Sequence, residues 1–149
     1  MSYTKLPAAA LVAAFVATSI AVASDSPQNE RHELMEGVGD AAKVIGGMLR
    51  GQTEYDAAAV MDSLETFDAA SAKFGELFPP GSETGEGTEA APAIWEDRAG
   101  FNAALNEWAD AVDTAIAAAP GTLEEGKPVL SPIFQACKGC HDNYRIEDE

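Results

Sequence analysis

Apolar residues in this chain return every three or four positions over long stretches and never alternate with period two, which predicts helices and no sheet. A first helix is expected from about Pro27 to Arg50, with Leu34, Met35, Val38, Ala42, Ile45, Met48 and Leu49 on one face. Ser26 before Pro27 suits an N-cap followed by a first-turn proline, and Gly51 suits the C-terminal stop. Gly46-Gly47 weakens the last turns and leaves room for close helix packing. A second helix is expected from about Asp56 to Leu77, its inner stripe Val60, Leu64, Phe67, Ser71, Phe74 and Leu77, with Pro79-Pro80 ending it. Residues 79–92 are rich in glycine, proline and glutamate and carry no apolar period, so they read as a long surface connection. A third helix opens near Pro92 and runs to about Ala118 on Trp95, Phe101, Leu105, Trp108, Val112 and Ile116, and Pro120-Gly121 stops it. Ser131-Pro132 resembles a cap with a first-turn proline, so a fourth helix is expected from Pro132 to about Arg145. Four amphipathic helices with these linkers predict an all-α fold, an antiparallel four-helix bundle.

The start of the chain reads differently. Lys5, the apolar run Ala8 to Val22 and the small-x-small site Ala21-Val22-Ala23 make residues 1–23 a secretory signal peptide, too short and wrongly flanked for a membrane span. Its removal leaves 126 residues, 24–149, which is the size of one domain, and the expected location is the periplasm. The formal charge is −16, and −17 once Lys5 is removed with the signal. So acidic a surface argues against nucleic acid or anionic membrane as partner. It allows docking to a basic patch on another protein.

The chemistry-bearing stretch is Cys137-Lys138-Gly139-Cys140-His141. Two thiols three positions apart with a histidine directly after the second form the attachment pattern of a c-type haem. On a helical turn, residues at i, i+3 and i+4 share a face, so both sulfurs can reach the two vinyl groups on one porphyrin edge while the imidazole meets the iron. The thioethers would come from Cys137 and Cys140, and His141 would be the proximal ligand. A zinc ribbon would need a second ligand pair, yet these are the only cysteines and His32 is the only other histidine. A thioredoxin-like pair needs neighbouring strands, and a plain disulfide leaves His141 without a role.

With these residues in place, the chain resembles the class II c-type cytochromes, the cytochrome c′ family. The marks are Arg31-x-x-x-Met35, Tyr55-Asp56-Ala57-Ala58, Leu77-Phe78-Pro79, Gly87-Thr88-Glu89, Ile94-Trp95, and the attachment motif extended to Tyr144-Arg145 near the C-terminus. The resemblance implies one haem c in the bundle core and a homodimer formed through the first two helices. It puts Arg31 near a haem propionate, Arg145 close to the proximal side, and Thr88 and Glu89 at the haem edge. Charge pairing of a guanidinium with a carboxylate gives a physical reason for Arg31. His32 stands where the family more often has glutamine, and its place on the helix turns it toward the haem rim. The Gly121-to-Pro132 stretch departs from the family pattern, implying a shorter fourth helix.

The sixth position of the iron divides two readings. Met35 lies one turn beyond Arg31, so both can face the haem. In the family, a methionine there either ligates a low-spin iron suited to electron transfer or merely covers a vacant site that takes NO or CO. A haem-free redox or structural bundle is a third reading. No nucleophile–base arrangement or phosphate-binding glycine loop marks an enzyme, and redox proteins of the periplasm are the expected partners.

Overall fold

The computed structural model describes residues 26–85 and 87–146; the expected signal segment lies outside them. Helix α1 spans Pro27–Leu49, and α2 spans Ala57–Phe74, prolonged by a 3-10 turn over Gly75–Leu77. A single turn, α3, covers Ala93–Glu96; α4 is Arg98–Ala118 and α5 is Leu123–Tyr144. The four long helices form an antiparallel bundle. No β-strand occurs among the described residues, only an isolated bridge between Ala90 and Arg145.

Local chemistry accounts for the ends of these helices. The Ser26 hydroxyl accepts from Asn29 N at 3.2 Å, with Pro27 in the first turn. Asp56 Oδ1 accepts from Ala58 N and Ala59 N at 2.9 and 3.2 Å. At the end of α1, Gly51 takes φ +69°, which lets Gln52 N reach Gly47 O at 2.9 Å. Gly46-Gly47 makes room within its own segment: a Cβ on Gly46 would lie 2.9 Å from Arg50 Nη1, and one on Gly47 3.3 Å from Thr53 Oγ1.

Two boundaries differ from expectation. The third helix is interrupted at Asp97, whose Oδ1 accepts from Gly100 N at 3.0 Å and starts α4 afresh. The fourth does not begin at Pro132. It begins after Thr122, where a capping box operates: Glu125 N donates to Thr122 Oγ1 at 3.3 Å, and Thr122 N donates to Glu125 Oε2 at 3.1 Å. Gly121 N also reaches Glu125 Oε2, at 2.9 Å. Pro128 and Pro132 therefore sit inside the helix, both exposed, and the Ser131 hydroxyl caps nothing but donates back to Lys127 O at 2.7 Å. The helix tolerates them because its buried side, Gly126, Leu130, Ile133 and Ala136, keeps the 3–4 period throughout.

The core has two parts. Ile45, Val60, Leu64, Val112, Leu130 and Ile133 are wholly buried in the larger one. In α2, Ser63 and Ala70 complete the buried stripe, whereas Ser71 is only half-buried. The smaller cluster gathers Phe74, Leu77, Phe78, Ile94 and Phe101. Helix α1 packs along α2, α2 along α4 and α4 along α5, while α1 and α5 touch at few points. One seam of the bundle is thus left open. Away from it, Tyr55 OH donates to Pro120 O at 2.9 Å, and Gly126 lets α5 approach, since a Cβ there would stand 2.9 Å from that phenol oxygen.

Truncating Leu64 to Ala should cost about 2–5 kcal/mol in denaturant unfolding, because it opens a cavity in a fully buried site. The start of α5 is tested by a pair of variants. Thr122→Ala should cost about 1 kcal/mol, whereas Ser131→Ala should leave the midpoint nearly unmoved; the opposite order would restore Pro132 as the helix start.

Candidate haem site

The seam between α1 and α5 opens into a pocket that encloses about 900 Å³ when the solvent at its mouth is counted. The last turns of α5 supply one wall with Cys137, Cys140, His141 and Tyr144. Both thiols are free and half-buried; Cys137 packs against the larger core and Cys140 against the smaller aromatic cluster. Helix α1 supplies the facing wall with Gln28, Arg31, His32, Met35 and Val38, and α4 closes the inner side with Phe101, Leu105 and Trp108. The segment Gly87–Ala90 lines the rim. Every residue that the sequence assigned to the site, Arg31, His32, Met35, Thr88, Glu89, Cys137, Cys140, His141 and Arg145, lines this pocket.

Arg31 is the least ordinary of them. Only 6 % of it is exposed, yet no carboxylate forms an ion pair with it among the described residues. Its guanidinium lies 4.7 Å from the Phe78 ring centroid and 5.9 Å from that of Trp95. Nη2 donates to Ser82 O at 2.9 Å and Thr88 Oγ1 at 3.3 Å, and Nη1 donates to Ser82 Oγ at 3.5 Å. Burial lowers its pKa, and the more distant Glu83 opposes this. A buried cation that donates only to neutral oxygens among the described residues suits a ligand that brings its own carboxylates. Two free thiols and an imidazole on one helix face suit a covalently held porphyrin. On both counts the residues fit haem c.

The family model for cytochrome c′ matches residues 26–145. The chain is 35% identical over 133 residues to a cytochrome c′ of Rhodopseudomonas palustris, covering 87% of this chain and 88% of that one. It is 30% identical to cytochrome c-556 of the same organism, over 99% of both. The solved structure of a Rhodopseudomonas palustris cytochrome c′ superposes with a TM-score of 0.80 at 32% identity, covering 85% of this chain and all of the other. The chain belongs to the cytochrome c′ family. The cofactor of this family is a covalently attached haem c with its iron.

Within this cytochrome c′ frame, burial tunes the α5 wall. It raises the Cys137 thiol, and it pushes the Cys140 thiol up to about 11, with the neighbouring Cys137 adding to the effect. It lowers His141, helped by Arg145 and opposed by Glu89 and Asp142, which favours the neutral, lone-pair-bearing imidazole. Arg145 Nε and Glu89 Oε2 stand 3.9 Å apart at the surface, a pair worth little in stability. His32 is exposed on the rim, with Nε2 4.0 Å from Glu36 Oε1.

Gln28, Phe78 and Tyr144 also line the pocket, although the sequence pattern assigned them no role there. Gln28 Nε2 donates to Thr84 O at 2.8 Å and Ser82 O at 3.5 Å. Tyr144 stacks edge-on against Phe101, centroids 5.3 Å apart, and its OH donates to Asp97 Oδ2 at 3.4 Å. Spacing alone places Gln28 and Tyr144, at i−3 from Arg31 and i+3 from His141.

The raised thiols set a measurable expectation for protein not yet loaded with haem. Iodoacetamide should alkylate Cys137 and Cys140 more slowly than free cysteine at pH 8, with the Cys140 rate climbing until about pH 11. Alkylation as fast as that of free cysteine at pH 8 would contradict the burial of these sulfurs.

Proposed function

We propose that this protein, as residues 24–149 after loss of its signal segment, is a periplasmic one-electron carrier and not an enzyme. Haem would be bound through thioethers to Cys137 and Cys140, with His141 as proximal ligand and Met35 as sixth ligand. The bound haem supplies a reversible ferric–ferrous change. The observation that carries the reading is the position of Met35: half-buried on the α1 wall of the pocket whose α5 wall bears His141. A thioether opposite an imidazole favours the ferrous state and raises the potential. Arg31 would hold propionate charge, with Thr88, Glu89, His32 and Arg145 around the rim.

A second reading keeps the sixth position free for small gases, with Met35 as cover. It is favoured by a relative: a mutant of cytochrome c prime from Alcaligenes xylosoxidans was solved as a nitric oxide complex, and superposes at a TM-score of 0.72 with 28% identity, covering 83% of this chain and 98% of that one. Pairing of two copies through α1 and α2 belongs to either reading. Their outer face carries a shallow groove floored by Leu34, Gly37, Ala69 and Ala70 and edged by Glu33, Asp62 and Glu65. Those carboxylates repel across a two-fold, so the dimer fraction in sedimentation should rise with salt; a monomer at all ionic strengths would remove the dimer.

Optical titration of haem-loaded protein separates the readings. If Met35 ligates, the spectrum is low-spin, the reduced protein takes up little CO, and Met35→Leu turns it high-spin with ready CO uptake. A high-spin wild type unchanged by Met35→Leu selects the gas-binding reading. Mass spectrometry tests the attachment: wild type should weigh one haem more than its polypeptide, and a Cys137→Ala, Cys140→Ala double variant should not retain haem through denaturation.

A further inference from the structure

Two polar connections cross the rim of the pocket and share one atom. On the α1 side, Arg31 Nη2 donates to Thr88 Oγ1 at 3.3 Å and to Ser82 O at 2.9 Å. On the α5 side, Ala91 N donates to Tyr144 O at 3.0 Å and Ile146 N donates to Glu89 O at 2.8 Å, bracketing the Ala90–Arg145 bridge. Between the two, Ala90 N donates to Thr88 Oγ1 at 3.4 Å. The Thr88 hydroxyl oxygen therefore accepts both from the guanidinium of α1 and from the backbone segment fastened to α5.

This matters because α1 and α5 pack on each other so little. Across their open seam, the loop takes the place of direct contact. Arg31 cannot give way independently, since Phe78 and Trp95 hold its flat face. Met35 follows one helical turn later on the same wall, so whatever fixes Arg31 also fixes how far Met35 stands from the α5 wall.

We infer that Thr88 is a positioning residue: its hydroxyl sets the spacing of α1 from α5 and thereby decides whether Met35 or an external diatomic ligand takes the sixth position of the iron. The inference rests on the haem reading above and adds to it a determinant that does not touch the iron. Without that oxygen, Arg31 Nη2 keeps its bond to Ser82 O, but the N–H aimed at residue 88 and the N–H of Ala90 both lose their acceptor. Water that enters to meet them widens the seam. The wider seam draws Met35 back and admits external ligands.

The test uses full-length, haem-loaded protein and measures CO association to the reduced form together with the spin state. Thr88→Val keeps the shape and removes the acceptor, and Thr88→Ser keeps the acceptor. Thr88→Ala repeats the loss in case valine crowds the loop. Thr88→Val and Thr88→Ala should bind CO faster by about threefold to tenfold, the range that one hydrogen bond spans, and should lose low-spin character where wild type has it. Thr88→Ser should stay near wild type, as should Thr84→Ala, whose side chain is exposed on the same loop. If valine and alanine match wild type, or serine behaves like valine, Thr88 has no such role. A wild-type protein lacking covalent haem overturns both this inference and the haem reading, whereas a haem-loaded set of indistinguishable Thr88 variants overturns this inference alone.

Discussion

Taking a guanidinium out of water is costly unless its donors are met, and the pocket end of this bundle is arranged around meeting that cost at Arg31. Ser82 and Thr88 bring oxygens, while Phe78 and Trp95 bring ring faces. The segment after Pro79 has no periodicity of its own to choose a conformation. It is shaped by what α1 asks of it, and Gln28 fastens the same stretch one turn earlier. Phe78 in turn meets Phe74, Trp95 and Phe101 edge-on, at 5.0, 5.8 and 4.9 Å. Arg98 holds the turn beneath them by donating to Gly75 O and Phe78 O at 2.8 and 3.3 Å. Loop, arginines and aromatic cluster therefore form one polar and apolar unit.

The α5 wall works by a different balance. Its sulfurs pack against the apolar clusters and its imidazole loses part of its hydration, so the uncharged form is favoured in all three. Neutral imidazole keeps the lone pair that a metal needs. The nearby charges of Arg145, Glu89 and Asp142 act on His141 in opposite senses and leave burial as the dominant influence.

What could be read in the chain was what is local. Ser26, Asp56 and Gly51 mark their helix ends because a cap is a contact over two or three residues. The spacing of Cys137, Cys140 and His141 is a statement about one helical turn, and α5 places all three on the pocket wall. The start of α5 was misread because two local signals competed. Ser131-Pro132 fits a first turn, but Thr122 with Glu125 satisfies three orphan donors and so prevails. The interruption at Asp97 was hidden by an apolar stripe that continues across it. The link from Arg31 to Thr88 spans 57 positions, and no periodicity along the chain encodes a bond of that range.

The two prolines inside α5 carry a consequence for how that helix comes apart. Pro128 and Pro132 have no N–H, so the carbonyls of Glu124 and Pro128 are left without their i+4 donors. The ladder of backbone bonds is therefore thinned across the first half of the helix and unbroken from Ile133 onward. Fraying that begins at Thr122 can run through the thinned half and halt there. The cysteine-bearing turns beyond it have a donor at every position and are tied at their far end by the bond from Ala91 N to Tyr144 O. The turns that bear the thiols and the imidazole thus lie in the half of the helix whose backbone ladder is complete.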